Sequence, residues 1–308
     1  MVSLKQLRYF DAIARTGHFG RAAETVAVSQ PALSMQIQEL ERALGLSLIE
    51  RRRSGMRLTP AGVEVAQRAA RILADVLDLT HFGQHRGGEL TGRLQFGIIP
   101  SVAPYLLPRL LPELHRHFPT LELQVRETQT RQLQRELLEG VLDVMLVALP
   151  LEDPEIETLT LFEDRFLLAL PASRQIDSQV RATPDIFKQD KLLLLEEGHC
   201  MRDQALTYCN LRRVENIDTF GVSSLSTIVQ MVANGLGLTL LPEICLDVET
   251  ASGQLNIVRF ADPEPSRTLG LAWRTTSPRK PDFHRLGALI GAARGQPHVS
   301  LANAASLS

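Results

Sequence analysis

The sequence of 308 residues contains only three cysteines and few aromatic residues, and it lacks a long apolar segment. Three cysteines cannot all pair within one chain, whereas disulfide-stabilised secreted folds usually carry a denser, even-numbered set. No apolar run reaches the ~18 residues of a membrane span, and the charged start of the chain lacks the apolar core of a signal peptide. These absences predict a cytoplasmic protein that has no membrane partner.

The net charge of −2 gives the chain no overall attraction to nucleic acid, but the charge is unevenly distributed. Residues 1–60 contain nine Lys/Arg and five Asp/Glu, so a net +4 in this region leaves −6 for the remainder. A basic head on an acidic body predicts that the head binds DNA. The length, with 44% hydrophobic and 22% charged residues, is typical of a globular chain of two or three domains.

Apolar periodicity predicts three short helices in the head. The first ends near Gly17; the third starts after the capping residue Ser29, with Pro31 in its first turn, and stops at Gly45. Amide and hydroxyl groups on the third helix suit base edges, and arginines in the hairpin that follows suit phosphates. The alternative is a small helical bundle with solvated polar faces. The predicted DNA-binding residues are Gln30, Pro31, Ser34, Gln36, Gln38, Arg51, Arg52, Arg53 and Arg57.

Several runs of the head carry a resemblance to a known family. Leu7-Arg8-Tyr9-Phe10, His18-Phe19-Gly20-Arg21-Ala22-Ala23 and Val28-Ser29-Gln30-Pro31-Ala32-Leu33-Ser34 resemble the winged helix-turn-helix of LysR-type transcriptional regulators. The resemblance covers about the first sixty residues without a gap. It implies that residues 1–60 form a winged helix-turn-helix domain that binds double-stranded promoter DNA.

A long helix is predicted after the head. Its apolar residues alternate in steps of four and three, a heptad-like seam that favours pairing with a second subunit. The seam consists of Val65, Ala69, Ile72, Val76 and Leu79. The alternative is that the helix packs on its own domain. The resemblance likewise implies that residues 61–86 are a linker helix used for dimerisation.

Strands and helices alternate over the rest of the chain, which predicts a parallel sheet with crossover helices. The resemblance implies a two-lobed, periplasmic-binding-protein-like α/β effector domain. Subdomain I would comprise residues 87–165 and 268–295, subdomain II residues 166–267, and a flexible tail residues 296–308. Such lobes usually hold a small ligand in their cleft. The closely spaced cysteine pairs of structural zinc sites are absent, so we expect no metal and no cofactor.

Cys200 and Cys209 lie nine positions apart, and the first is close to His199 and Arg202. This cationic setting can lower the pKa of a thiol below ~8.5 and favour the nucleophilic thiolate. If residues 199–209 formed one helix, the two Cα atoms would be roughly 13 Å apart, whereas a disulfide requires about 7 Å or less. The bond and the helix would exclude each other, as a redox switch requires. The alternative is that the cysteines are inert core residues, which we also expect of Cys245.

Two hydroxyl residues are predicted to face the cleft. Ser101 follows a strand and Thr130 begins a helix, at the sheet edge where α/β folds bind ligands. Their alternative role is to cap helices.

The run Gly198-His199-Cys200-Met201-Arg202-Asp203-Gln204-Ala205, together with Cys209, resembles the redox loop of the hydrogen-peroxide-sensing LysR-type activators. The resemblance implies that Cys200 is the peroxidatic residue and Cys209 the resolving one. Around the peroxide it would place Ser101, Thr130, His199 and Arg202, supported by Asp203 and Arg267. Ser101 departs from the family pattern, which more usually has threonine, so the orienting methyl group is missing.

These observations predict a homodimeric or homotetrameric transcriptional regulator that hydrogen peroxide activates. It would be oxidised stoichiometrically rather than turning over as an enzyme, with RNA polymerase as a further candidate partner. One alternative is a LysR-type regulator that senses a small organic effector in the cleft. The other is a thiol peroxidase with an accessory DNA-binding domain.

Overall fold

Local capping signals define the first three helices, α1 (Leu4–Thr16), α2 (Phe19–Thr25) and α3 (Gln30–Leu44). Gly17 ends α1 and Gly45 ends α3 in left-handed conformations, with φ of 63° and 67°, which glycine adopts without steric cost. Ser29 caps α3 by accepting a hydrogen bond from the backbone N–H of Ala32. The predicted helix-turn-helix is therefore present at the predicted positions.

A short antiparallel hairpin, β1 (Ile49–Arg52) and β2 (Gly55–Leu58), follows α3. Glu41 of α3 fixes its start, because one carboxylate oxygen accepts hydrogen bonds from the backbone N–H groups of Leu48 at 2.7 Å and Ile49 at 3.3 Å. This contact ties the hairpin to the helix that carries the predicted base-reading residues.

The computed structural model describes residues 1–52, 55–84, 90–174, 181–183, 186, 190–198, 200–208, 217–218 and 221–294. It divides into two compact units. The first contains the residues up to Gly87 with the segments Arg135–Leu142 and Thr276–Arg279; the second contains the remainder. Within the described ranges, no helix is both long enough and apolar enough to cross a membrane.

The apolar seam of α4 (Pro60–Gln84) is divided between two environments. Ala69 is 1% exposed and, like Val65, packs on the core of the head. Ile72, Val76 and Leu79 are instead exposed, Leu79 by 71%. The amino-terminal part of the seam thus packs on its own domain, and the later part presents an apolar surface.

Apart from residues 135–138 of α6, which belong to the first unit, the second unit contains the following elements. They are β3 (Gly92–Ile98), α5 (Ala103–His117), β4 (Leu121–Glu127), α6 (Thr130–Leu138), β5 (Val144–Leu149), β6 (Ile156–Pro171), β7 (Leu192–Leu193), α7 (Cys200–Tyr208), β8 (Ile217–Asp218), α8 (Leu225–Ala233), β9 (Thr239–Pro242), α9 (Leu246–Glu249), β10 (Leu255–Val258), β11 (Ser266–Arg274) and α10 (Lys280–Ala293). The main sheet of this unit has seven strands in the order β10-β6-β11-β5-β3-β4, in which β9 also pairs with β6.

The predicted parallel sheet is correct only for β3, β4 and β5, which α5 and α6 connect as crossover helices. The strands β6, β9, β10 and β11 pair antiparallel with their neighbours. The sequence-based prediction of a parallel sheet was wrong for this part, because no helix lies between β5 and β6 or between β10 and β11.

The strand β6 extends over 16 residues. Residues 156–165 pair with β11, and residues 166–171 pair with β9 and β10. A second apolar core packs around its later half and includes Leu195, Met201 and Cys245.

Candidate functional site

A cleft of about 450 Å³ opens in the second unit at the carboxyl ends of β3 and β4. Ser101 and Tyr105 line it from the β3–α5 region, and Gln129 lines it from the turn before α6. The opposite side comprises Glu196, which follows β7, and Ser226 at the start of α8. The cleft therefore lies where parallel strands end, as predicted for Ser101.

Ser101 is 3% exposed and belongs to a fully buried polar chain. Arg267 donates from Nη1 to Ser101 Oγ at 2.7 Å and from Nη2 to the Ser101 carbonyl at 3.2 Å. The Arg267 guanidinium also forms an ion pair with Asp164, in which Nε lies 2.9 Å and Nη2 lies 2.8 Å from Asp164 Oδ2. Charge-assisted bonds of this kind fix side-chain geometry strongly in a dry interior. Ser101 is thus held by Arg267 rather than free to rotate.

Tyr105 and Ser226 meet at one carboxylate beside the same cleft. Both hydroxyls donate to Glu249 Oε1, each at 2.7 Å. Burial raises the pKa of Tyr105 well above its usual value, and the hydrogen bond with Glu249 adds to the effect. The tyrosine therefore remains a neutral donor that ties α5 to α8 and α9.

Cys200 is the first residue of α7, a nine-residue helix that ends at Tyr208. His199 and Cys209 lie outside the described residues. The disulfide predicted for Cys209 and the contacts predicted for His199 therefore stay predictions. Met201 is 1% exposed and anchors the start of α7 in the second core. At about 1.5 Å per residue, α7 extends roughly 12 Å. Almost the whole segment between the two predicted redox cysteines is therefore helical.

Three polar atoms near the start of α6 and in α7 are buried without a hydrogen-bond partner among the described residues. They are Thr130 Oγ1, Arg202 Nη1 and Gln204 Oε1. Arg202 contacts Glu197 only loosely, at 3.7 Å from Nη2 to Oε1, and Asp203 is exposed. Buried polar groups are nearly always satisfied, so such atoms require an explanation. They have capacity to bind a small polar molecule.

Gln129 approaches the segment just before α7. Its Nε2 donates to the carbonyl of Glu197 at 3.5 Å, and a Cβ built on Gly198 would clash with Gln129 Oε1. Gly198 also has φ of 95°, a conformation that favours glycine. This contact could not be predicted, because no sequence pattern connects Gln129 with Gly198.

Cys245 is fully buried and donates from Sγ to the carbonyl of Pro242 at 2.9 Å. Burial raises the pKa of this thiol well above its ordinary value, and the nearby Asp164 and Glu249 carboxylates contribute. A neutral thiol without solvent access is a poor nucleophile. Its environment agrees with the inert role expected of it.

The predicted DNA-binding residues of α3 differ in exposure. Gln30, Pro31 and Gln38 are exposed, whereas Ser34 and Gln36 are half-buried. Gln36 donates to Glu39 Oε2 at 2.9 Å, which restrains its amide. Arg57 is exposed on β2, Arg51 and Arg52 belong to β1, and Arg53 lies outside the described residues.

Met35, which the sequence analysis missed, is 54% exposed on α3. Its position between Ser34 and Gln36, two predicted DNA-binding residues, is the signal from which a role in DNA contact could have been predicted. An exposed apolar side chain on such a helix suits contact with a thymine methyl group.

Two family descriptions match the chain in order. The helix-turn-helix of the LysR family of bacterial regulatory proteins matches residues 4–63, and the LysR substrate binding domain matches residues 87–294. The chain belongs to the LysR family. As a LysR-family member it is a DNA-binding transcriptional regulator, and the predicted fold class, a winged helix-turn-helix followed by a two-lobed α/β domain, is confirmed.

Relatives place the chain within a smaller group of LysR proteins. It is 42% identical over 290 residues to a probable hydrogen peroxide-inducible genes activator from Streptomyces viridosporus, covering 94% of this chain and 93% of the relative. A full-length OxyR variant from Pseudomonas aeruginosa has a TM-score of 0.80 at 36% identity, covering 94% and 95%. A hydrogen-peroxide-bound OxyR mutant from Corynebacterium glutamicum has a TM-score of 0.63 at 34% identity, covering 94% of both chains.

Proposed function

We propose that hydrogen peroxide oxidises this LysR-family regulator at Cys200, and that a Cys200–Cys209 disulfide then alters its action on promoter DNA. The observation that supports this best is the set of polar groups available for a small oxidant. Ser101 is fixed by buried Arg267 at the cleft, and Thr130 and Arg202 each carry a buried polar atom with no partner among the described residues. The peroxide-related names of the relatives support the same proposal.

The first step is a two-electron oxidation of Cys200. Its thiolate attacks one oxygen of hydrogen peroxide, the S–O bond forms, and the O–O bond breaks to release hydroxide, which takes up a proton to become water. The sulfur becomes a sulfenic acid and the peroxide is reduced. Donors aimed at the leaving oxygen lower the barrier, and Ser101, Thr130, Arg202 and His199 would supply them. Asp203 would support this set from the same helix.

The second step converts the oxidation into a change of shape. The thiol of Cys209 attacks the sulfenic sulfur, the disulfide forms, and water leaves. A disulfide requires the two Cα atoms to lie within about 7 Å of each other. The helix α7, which begins at Cys200 and ends just before Cys209, is roughly 12 Å long. The helix α7 must therefore unwind, and the refolded segment would change the surface of the second unit.

An oligomer would transmit this change to DNA. The exposed part of the α4 seam, Ile72, Val76 and Leu79, offers an apolar stripe for a second copy of the chain, and we propose a homodimer that assembles further into a homotetramer. In this arrangement α3 would read bases and the β1–β2 hairpin would contact phosphates. Contact with RNA polymerase belongs to the same proposal.

The test is to titrate the purified reduced protein with hydrogen peroxide and identify the remaining thiols by mass spectrometry. We expect two of the three thiols to be lost near one equivalent of oxidant, with Cys245 still free. A Cys200→Ser variant should bind DNA but show no response to oxidant. Sustained peroxide consumption in the presence of reductant would indicate a peroxidase instead.

The second candidate is a regulator that binds an organic effector. The cleft volume of about 450 Å³ favours it, because hydrogen peroxide would fill only a small part of this space. Retention of all three thiols at equimolar peroxide, or an oxidant response that survives in Cys200→Ser, would support this candidate and contradict redox sensing.

A further inference from the structure

The buried contact between Arg267 and Ser101 determines how the serine can hydrogen-bond. Arg267 Nη1 donates to Ser101 Oγ at 2.7 Å. A guanidinium has only donors, so it occupies a lone pair of the hydroxyl and never accepts the hydroxyl proton. Among the described residues, the Ser101 hydroxyl has no acceptor. The proton is therefore available to a molecule in the cleft that Ser101 lines.

Asp164 holds the guanidinium in the orientation that this contact requires. Asp164 Oδ2 accepts from Nε at 2.9 Å and lies 2.8 Å from Nη2, while Oδ1 accepts from the backbone N–H of Ile244 at 3.0 Å. The side chains of Arg267 and Asp164 are 0% and 1% exposed. Since Asp164 occupies Nε and shares Nη2, Nη1 is left for the serine hydroxyl.

We propose that Asp164 is a positioning residue that acts through Arg267 to hold the Ser101 hydroxyl as a hydrogen-bond donor toward the oxidant. This inference rests on the proposed oxidation of Cys200. The oxygen that leaves during that step develops negative charge, so a donor held in place beforehand stabilises the transition state without reorganisation. In this role Asp164 does not contact the oxidant itself.

The alternative role is purely structural, since buried ion pairs occur in many cores. A structural defect and a positioning defect differ in how they combine with loss of the serine hydroxyl. If Asp164 acts through Ser101, removing the hydroxyl first leaves Asp164 with little further effect on the oxidation rate. If Asp164 only supports the fold, the two losses multiply.

The experiment measures the second-order rate constant of Cys200 oxidation by hydrogen peroxide in the full-length protein. Samples are quenched with an alkylating reagent, and the Cys200 peptide is followed by mass spectrometry. The variants are Ser101→Ala, Asp164→Asn, their combination, and Ser101→Thr as the matched control that keeps the hydroxyl. Circular dichroism verifies that each variant is folded.

We expect Ser101→Ala and Asp164→Asn each to react about a hundredfold more slowly, the effect of losing one preorganised donor. The combined variant should react within about threefold of Ser101→Ala alone. Ser101→Thr, which keeps the hydroxyl, should rescue the reaction and be at least about tenfold faster than Ser101→Ala. Losses that multiply to about ten-thousandfold, or a folded Asp164→Asn protein that reacts at the natural rate, would overturn the proposal.

A second variant decides the question if Asp164→Asn does not fold. Asp164→Leu combined with Arg267→Met replaces the buried ion pair with apolar side chains of similar size, a change that proteins often tolerate. It should react as slowly as Ser101→Ala, and a natural rate would contradict the positioning role. If Cys200 of the natural protein resists peroxide altogether, the proposed function fails together with this inference; fast natural oxidation with multiplying losses contradicts the inference alone.

Discussion

The polar groups around Ser101 and those of α7 differ in how completely they are satisfied. On the Ser101 side, Arg267 and Asp164 bond each other and their surroundings at 2.7 to 3.2 Å. In α7, Arg202 and Gln204 each have a buried polar atom without a partner among the described residues. Satisfied buried networks are rigid, whereas unsatisfied ones cost free energy and favour rearrangement. We therefore expect the Ser101 side to stay in place if α7 rearranges.

The largest expected effect comes from breaking the rigid region. Arg267→Ala leaves Asp164 buried without its counter-charge and should lower the free energy of unfolding by about 3–5 kcal/mol. Arg202→Ala removes a loose contact with the 89% exposed Glu197 and should cost less than about 1 kcal/mol. Urea unfolding of both variants measures the difference. Equal losses would remove the distinction between the two regions.

A second prediction tests how far the rigid region extends. Tyr105→Phe removes one of the two donors to Glu249, while Ser226 still donates to the same oxygen. We expect a loss of about 1–2 kcal/mol in the free energy of unfolding, measured in urea.

The matched control for Tyr105→Phe is Tyr9→Phe. Tyr9 is 7% exposed, and its hydroxyl has no hydrogen-bond partner among the described residues. The control should change stability by less than about 0.5 kcal/mol. If both variants behave alike, the Tyr105 hydroxyl does not brace the cleft.

The smallest predicted effect concerns the buried thiol of Cys245. Because burial raises the pKa of Cys245, the folded protein keeps this proton at a pH where the unfolded chain, with a thiol pKa near 8.5, releases it. The resulting stability is fully present below about pH 8.5 and is lost as the pH rises toward the raised pKa.

Between pH 8.5 and 9.5, the natural protein should lose about 1 kcal/mol more stability than Cys245→Ser, whose hydroxyl does not ionise. Urea unfolding of the reduced proteins at these two pH values measures this difference, and the other cysteines are common to both. Parallel losses would show that Cys245 is accessible or already ionised in the folded chain.

The boundaries of the first three helices could be predicted because their signals are local. Gly17, Ser29, Pro31 and Gly45 act within one turn of the residues they cap. The sequence likewise placed Ser101 and Thr130 at the correct ends of their elements.

The partners of those residues could not be predicted. Asp164 is 103 positions from Arg267, and Tyr105 is 144 positions from Glu249, so no periodic pattern connects either pair. The apolar seam of α4 gave the correct helix but not its two environments, because a stripe looks the same whether its own domain or a second chain covers it. The predicted parallel pairing holds only for β3, β4 and β5, which crossover helices connect.

The long strand β6 has a mechanical consequence. Its first ten residues pair with β11, and its last six pair with β9 and β10. Asp164 and Phe166 lie next to the point where the paired strand changes. The backbone is continuous across this point, so one stiff strand connects the part of the sheet that contains β11 with the part that contains β9 and β10. We therefore expect a bend at one end of β6 to displace the other end. The buried guanidinium of Arg267 lies near the middle of the strand, 5.7 Å from the centre of the Phe166 ring.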